Sequence, residues 1–240
     1  MTEFTVQGWT ASPAVLSPPR AETRVAVAPP APTQHRPISR DLALNCPGSA
    51  ARLKHQEVTR DAPVRSFVAR ALGVATQERV WRIEAKGQEK VARELSWLGD
   101  GWHVLHDVEV GEQENLIDHV VIGPPGVITL STKRHPNGKA WIDESRVMVN
   151  GRPTNYVRNS RHEARRSARL LSAACQQSVQ VRAAIAFVDL DDLKVKRMPT
   201  DVYITIRRRL LVWLKSLPET TDAETVEVIY ARARFSNTWQ

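Results

Sequence analysis

The chain has 240 residues, a net charge of +8 and a pI near 9.9. This length accommodates one domain with a hydrophobic core, with or without a terminal tail. The surplus of Lys and Arg suits a polyanionic partner, and no apolar run approaches the length needed to cross a bilayer, so we expect no association with a membrane.

Residues 1–62 are predicted to form a disordered tail rich in Pro and Ala. They contain the segments TASPAVLSPPR and VAVAPPAPTQHRP and show no sustained period of 3.6 or 2. Such a composition buries too little apolar surface to offset the entropy of the chain. The predicted folded domain therefore spans residues 63–240.

The cysteines and the N-terminus predict a cytoplasmic protein. Cys46 and Cys175 belong to no CxxC motif and have no second cysteine nearby, which favours free thiols in a reducing compartment. The N-terminus carries Glu3 and lacks a basic segment followed by an apolar core, so it does not indicate a secretory signal.

Hydrophobic periodicity predicts a helix, a β-meander and a second helix in the next part of the chain. The first helix covers residues 75–98, with an interruption at Gly87. Strands are predicted at 102–110, 114–123, 126–133 and 139–151, with turn signals at GPPG and HPNG. Helical spacing returns at residues 156–175.

The C-terminal part adds two strands and two helices. The strands are predicted at 181–190 and 201–206, and the helices at 207–217 and 220–235. Thr220 or Thr221 is the expected N-cap of the last helix. This order predicts an α/β domain in which helices flank a central mixed sheet that contains an antiparallel meander.

The stretch LIDHVVIGPPGVITLSTKR, residues 116–134, places charged side chains in an otherwise apolar hairpin. If the strands pair symmetrically about GPPG, Asp118 lies opposite Ser131 and on the same face as Lys133. Charges in so apolar a hairpin are costly unless they pair well or perform chemistry. The pattern is therefore consistent with a half-buried salt bridge or with a reactive site.

Several segments of the chain resemble the nuclease-related (NERD) domain family. They are GQEKVARELSWL, WHVLHDVEV, IDHVVIGPPGVITLSTK, NGRP with VRNSRHEARRSARLLSAA, and the final TW. The resemblance covers roughly residues 75–239, and IDHVVIGPPGV followed by TK is its most specific part. Because that family is assigned to the PD-(D/E)xK superfamily, the resemblance implies a restriction-endonuclease-like fold, Mg²⁺ or Mn²⁺ as cofactor, and hydrolysis of nucleic-acid phosphodiesters, with DNA as the expected substrate.

The resemblance also implies roles for three residues. Asp118 matches the metal-binding aspartate of the IDH motif, Lys133 matches the lysine that closes the (E/D)xK strand, and Glu89 matches a glutamate on the first helix. Carboxylates bind Mg²⁺ through hard oxygen atoms. A lysine can orient the attacking water or stabilise negative charge on the phosphorus.

Two positions depart from the family pattern. Ser131 stands where the motif has an acid two residues before the lysine, and a neutral hydroxyl is a weaker metal ligand than a carboxylate. The sequence GQE stands where Gly-Glu is expected, although Glu89 stays in step with Val91 and Leu95. Asp118, Glu89 and Ser131 are therefore the candidate metal ligands, with Glu89 as the second carboxylate.

A stripe of arginines follows one face of the predicted helix 156–175. Its members are Arg158, Arg161, Arg165 and Arg169. Such a stripe is either a solvated face or, beside a nuclease-like hairpin, a surface that binds phosphates without reading the base sequence.

Other residue types predict no second site. Four histidines in the meander have spacings that match no zinc pattern, so structural or exposed positions are expected for His103, His106, His119 and His135. No GxSxG nucleophile elbow is present, which argues against acyl-transfer chemistry.

Three functions remain open on the sequence alone. The first is a metal-dependent nuclease, weakened by Ser131. The second is a nucleic-acid-binding module that keeps the nuclease fold without turnover. The third is an adaptor that contacts partner proteins through its proline-rich tail.

Overall fold

A computed structural model describes residues 39–50, 52, 77–111 and 115–240 of the chain. Most of the predicted tail therefore lies outside the described residues. The helices are α1 Gln77–Leu95, α2 Tyr156–Cys175, α3 Arg207–Ser216 and α4 Ala223–Ala233, with 3-10 helices at Leu42–Leu44 and Ser236–Trp239. None of the helices in the described ranges combines the length and the apolar composition needed to cross a membrane.

The described residues include one seven-stranded sheet. Its strands are β1 His103–Val110, β2 Asn115–Gly123, β3 Gly126–Asp143, β4 Arg146–Val149, β5 Arg152–Thr154, β6 Val181–Arg197 and β7 Val202–Ile206. Strands β1 to β5 form an antiparallel meander, while β6 pairs in parallel with β3, and β7 pairs in parallel with β6. The predicted α/β architecture with a mixed sheet is confirmed.

Helices cover both faces of the sheet. Successive residues of a strand point to opposite faces, so neighbouring residues pack against different helices. On one face, Val121 of β2 packs with α1 and α3 residues such as Val91 and Leu210. On the other face, the neighbouring Val120 packs with residues of α2 and α4 such as Leu171. The near-continuous apolar runs of β2 and β3 are thus explained by burial on two sides.

Strand β3 differs from the prediction because it continues through the HPNG segment. This segment, residues 135–138, lies where the parallel pairing with β6 shifts its register between Arg134 and Gly138. Asn137 has a φ of +58° there, so the turn residues are absorbed as an irregularity within the strand. The meander turns later, between Asp143 and Arg146.

The β2–β3 hairpin has the symmetric register predicted from GPPG. Pairing runs from Gly123 with Gly126 to His119 with Leu130. Pro124 and Pro125 form the two-residue loop, and Gly126 adopts a φ of +98° that favours glycine. The loop is held from outside the hairpin, since the backbone N–H of Thr220 donates to the carbonyl of Pro124 at 2.8 Å.

Residues 39–50 pack on the domain, which differs from the expectation of a disordered segment here. Leu42 is only 1% exposed and joins the core cluster beneath α2 and α4. Asp41 forms an ion pair with Arg234, and the amide of Asn45 donates to the carbonyl of His106 at 3.0 Å. A few apolar and capping residues thus suffice to fix this short segment, although they form no regular period.

The helix boundaries also correct two predictions. Helix α1 runs unbroken through Gly87. This glycine allows the helix to approach the hairpin closely, since a Cβ there would lie 2.9 Å from the Cβ of Arg134. Helix α4 is capped by Asp222, whose carboxylate accepts from the N–H of Thr225, and not by Thr220 or Thr221. An acidic N-cap suits the positive end of the helix dipole.

Substitution of Gly87 tests this close approach. Gly87→Ala is expected to destabilise the domain by about 1–3 kcal/mol, since the added methyl group would overpack against Arg134 and Thr132. This effect opposes the gain of about 1 kcal/mol that alanine brings in a helix interior. Urea unfolding measures the difference, and an increase in stability would show that α1 and the hairpin are not in close contact.

Candidate functional site

Asp118 lies where strands β2 and β3 part. The pairing between them ends at His119 and Leu130, and beyond it the backbone N–H of Thr132 donates to Oδ2 of Asp118 at 2.6 Å. The carboxylate thus takes an N–H that a continued ladder would have used. Gln88 of α1 donates from Nε2 to Oδ1 at 2.6 Å, so both carboxylate oxygens are fixed.

Burial raises the pKa of Asp118. The charge of Lys133 and the hydrogen bonds that Asp118 accepts from Thr132 and Gln88 lower this pKa, but they do not cancel the effect of burial. Asp107 also raises the pKa of Asp118, because its carboxylate lies nearby. The register explains why: His106 pairs with His119 and Val108 with Ile117, so Asp107 stands opposite Asp118. Two acids therefore face each other across β1 and β2.

Asp107 is 3% exposed and has a φ of +49°. Its Oδ2 accepts from the hydroxyl of Ser49 at 2.8 Å and from the N–H of Ala50 at 3.1 Å. Its Oδ1 is buried and has no hydrogen-bond partner among the described residues, and the same holds for Oε1 of Gln88. Unpaired buried oxygens are costly in a native protein, so each of these two atoms is available to a hydrogen-bond donor or a cation.

Lys133 is half-buried on the sheet face that Ser131 shares. Its Nζ lies 5.3 Å from the ring centroid of Tyr156 in α2. Burial lowers the pKa of Lys133, but the carboxylates of Asp118, Glu163 and Glu84 outweigh it and raise the pKa overall. The side chain is therefore a charged ammonium group held among carboxylates.

Ser131 is connected to a carboxylate from another element. It is 4% exposed, and its Oγ donates to Oε2 of Glu163 in α2 at 2.7 Å. Burial raises the pKa of Glu163 to about 7, although the hydrogen bond from Ser131 and the charge of Lys133 act to lower it. Glu163, which the strand motif could not reveal, thus belongs to the same cluster as Asp118 and Lys133.

Glu89 occupies a different position from the one that the resemblance implied. It forms an ion pair with Arg52, while the side chain of α1 that contacts Asp118 is Gln88. Neighbouring helix residues are about 100° apart, so only one of the two can face the hairpin. Gln88 lies three residues before Val91 and seven before Leu95. This helical spacing places Gln88 on the buried face of α1, so it could have been identified from the sequence.

The histidines of the meander are engaged in local contacts. His119 is fully buried, and its ring nitrogens contact Nδ1 of His106 at 2.8 Å and the hydroxyl of Thr132 at 3.2 Å. Burial lowers the pKa of both His106 and His119. His103 pairs with Glu227, and His135 contacts the hydroxyl of Tyr156. Among the described residues, no group of three or more His, Cys, Asp or Glu has an arrangement that could hold a metal ion.

The predicted arginine stripe divides into members with different surroundings. Arg161 makes two hydrogen bonds to the carboxylate of Asp201, at 2.6 and 2.7 Å, which ties up its guanidinium. Arg165 and Arg169 are exposed. Arg158 lines a cleft, so it is the stripe residue nearest to the candidate site.

This cleft lies between α2 and the edge of the sheet. It is lined by Val110, Leu116, Ile117, Arg158, Asn159, His162, Glu163 and Arg166. Glu163 lines the cleft and also contacts Ser131, so it connects the cleft with the cluster, whereas Asp118, Ser131 and Lys133 do not line the cleft. Asn159, His162, Glu163 and Arg166 follow helical spacing, and this spacing could have identified Arg166, which the stripe did not include.

Comparison with known proteins agrees with the motif. The family model of the nuclease-related domain, NERD, matches residues 83–188. The chain contains a nuclease-related domain. The matched NERD segment begins within α1, ends within β6, and includes Asp118, Ser131, Lys133 and Glu163. No curated protein and no solved structure matches the chain.

The raised pKa of Glu163 predicts a pH-dependent stability. Below about pH 4.5 the carboxyl is protonated in both states; between about pH 4.5 and 7 the unfolded chain loses this proton while the folded NERD domain keeps it. Glu163 therefore makes the free energy of unfolding fall as the pH rises through this range. Glu163→Gln should remove that contribution.

Urea unfolding in the presence of EDTA at about pH 5 and about pH 8 measures this effect. We expect wild type to lose more stability than Glu163→Gln between the two values. An equal change in both proteins would mean that Glu163 titrates normally, as an exposed carboxyl does.

Proposed function

We propose that the NERD domain hydrolyses phosphodiester bonds in DNA with the help of Mg²⁺ or Mn²⁺. The observation that carries this proposal is the charged Lys133 close to the carboxyl groups of Asp118 and Glu163, beside a cleft that is lined by Glu163, Arg158 and Arg166. Carboxylates, an ammonium group and guanidinium groups are the parts that metal-assisted phosphate chemistry requires.

The donor set around Asp118 fits a hard divalent cation. Each carboxylate oxygen of Asp118 accepts one hydrogen bond, which leaves a lone pair on each for a metal. The side chain of Gln88, which contacts Asp118, carries an amide oxygen without a partner among the described residues. All these donors are oxygen atoms, which Mg²⁺ and Mn²⁺ prefer. A metal held by Asp118 would polarise the phosphate and make its bound water more acidic.

The side chains of the chain itself would position the reacting groups. Thr132 and Gln88 keep the Asp118 carboxylate in one orientation. Lys133, charged at neutral pH, would donate hydrogen bonds to the attacking water or to a phosphate oxygen as negative charge develops on it. Arg158 and Arg166 would hold a flanking phosphate in the cleft, an interaction that requires no base recognition.

Ser131 favours a second candidate function. Because this position lacks the acid that the motif carries, the domain could bind DNA through its cleft without cleaving it. Both functions require the cleft arginines, but only cleavage requires Asp118 and Lys133.

Cleavage of plasmid DNA with Mg²⁺, Mn²⁺ or EDTA separates the two functions. Wild type should nick DNA with metal and stop in EDTA. Asp118→Asn should abolish cleavage because it removes the anchoring charge. Lys133→Ala should slow cleavage by about 10²–10³-fold while leaving the Mn²⁺ affinity unchanged or slightly higher, since a nearby positive charge is gone.

Lys139→Ala, an exposed lysine of the same strand, is the matched control and should cleave as wild type does. DNA that is bound but never cleaved by wild type would leave only the binding module. Cleavage by Asp118→Asn would place the active site elsewhere in the chain.

The cleft gives a prediction for DNA affinity. Arg158→Ala should weaken binding about equally for all sequences and reduce the slope of log affinity against log salt by about 1, because one phosphate contact is lost. Arg169→Ala, on the same helix but outside the residues that line the cleft, should have a smaller effect. Fluorescence anisotropy at several salt concentrations measures both, and equal effects would mean that the cleft is not the path of the DNA.

A further inference from the structure

We propose that Glu163 supplies, from helix α2, the second carboxylate of the metal site that strand β3 lacks at Ser131. This inference rests on the proposed metal-dependent function and assigns a ligand that the strand motif does not contain. On this assignment the site keeps a second acid, and helix α2 provides it in place of strand β3.

The hydrogen bond between Ser131 and Glu163 carries the first step. Oγ of Ser131 lies 2.7 Å from Oε2 of Glu163. A glutamate at position 131 would extend in the same direction from the strand, since its Cγ replaces the serine oxygen. The Glu163 carboxylate therefore reaches the region where an acid at position 131 would place its own oxygens.

The charges of the cluster carry the second step. Lys133 interacts with both Asp118 and Glu163, and the two carboxylates repel each other. Burial and this repulsion disfavour the ionised form of Glu163 in the metal-free protein. A divalent cation bound between Asp118 and Glu163 would offset the repulsion and stabilise both groups in their ionised form.

The unpartnered oxygen of Gln88 is an independent observation. Gln88 is 4% exposed, and its amide nitrogen already contacts Asp118. Its Oε1 has no partner in the part of the chain that the structure describes. A buried amide oxygen on a side chain that contacts Asp118 is a further hard donor, so α1 and α2 each bring an oxygen-bearing side chain to the parted strands.

The packing of α2 holds Glu163 in place. The neighbouring Ala164 is buried, as are residues one turn or more away on the same face, including Ser160 and Leu171. This face fixes the rotation of the helix about its axis, so Glu163 is presented to Ser131 by a rigid element. Rigid presentation lowers the entropic cost of assembling a metal site.

A swap of the acid between the two elements tests the inference. The full chain is titrated calorimetrically with Mn²⁺, without DNA, for wild type, Glu163→Gln, Ser131→Glu and the double variant Ser131→Glu with Glu163→Gln. Glu163→Gln should weaken Mn²⁺ binding at least tenfold, since glutamine keeps the size and the hydrogen bond with Ser131 but not the charge. The double variant should regain affinity to within a few fold of wild type.

Controls separate this inference from the proposed function. Glu109→Gln removes an exposed carboxylate that pairs with Arg40 and should bind Mn²⁺ as wild type does. If Asp118→Asn loses Mn²⁺ while Glu163→Gln binds it normally, the assignment of Glu163 is wrong and the metal-dependent function stands. If wild type neither binds Mn²⁺ nor cleaves DNA, the proposed function fails, and the assignment fails with it.

Position 131 is buried, so the longer side chain in Ser131→Glu could prevent folding. Far-ultraviolet circular dichroism and thermal unfolding identify such a variant. In that case Glu163→Gln and Glu163→Asp decide the question, because both leave β3 unchanged. Wild-type Mn²⁺ affinity in both would overturn the assignment, and weaker binding in both would support it.

Discussion

The separation of β2 and β3 at Asp118 is the feature on which the site depends. A regular hairpin would pair Thr132 with β2 and leave no space between the strands. Here the Asp118 carboxylate accepts the N–H of Thr132, so the strands part without leaving that donor unsatisfied. At this point α1 contacts Asp118 through Gln88, and α2 contacts Ser131 through Glu163.

That opening explains why the cluster contains residues from both sides of the sheet. Gln88 comes from α1, which packs on one face, and Glu163 comes from α2, which packs on the other. Gly87 lets α1 approach the hairpin closely enough for Gln88 to reach Asp118. Lys133 then lies among carboxylates from different elements, and their charges keep it protonated despite its burial.

Much of this arrangement could be predicted from the sequence where local patterns determine the structure. The symmetric GPPG loop fixed the hairpin register and placed Asp118, Ser131 and Lys133 on one face. The helical periods of α1 and α2 were equally clear. Propensity failed at HPNG, because the parallel partner β6 keeps β3 extended through residues that favour a turn, and no local pattern identifies that partner.

The remainder of the site depends on contacts between distant parts of the chain. Glu163 is 32 positions from Ser131, and only the packing of α2 against the sheet brings them together. Asp107 lies opposite Asp118 through the β1–β2 register, which the sequence did not define. Gln88 was accessible from helical spacing, but the motif directed attention to Glu89, the adjacent carboxylate. Matching residue types to a motif therefore led to Glu89 and not to Gln88 on the helix, whereas the arrangement of the strand residues followed from the hairpin register.

The position of a bound metal tests the central claim of this account most directly. A crystal structure of the full chain soaked with Mn²⁺, with anomalous scattering recorded to locate the ion, would show which oxygens bind it. The account predicts one anomalous peak between the carboxylates of Asp118 and Glu163, within about 2.0–2.6 Å of their oxygens. A peak bound to other residues, or a structure in which Asp118 and Glu163 bind no ion at saturating Mn²⁺, would contradict it.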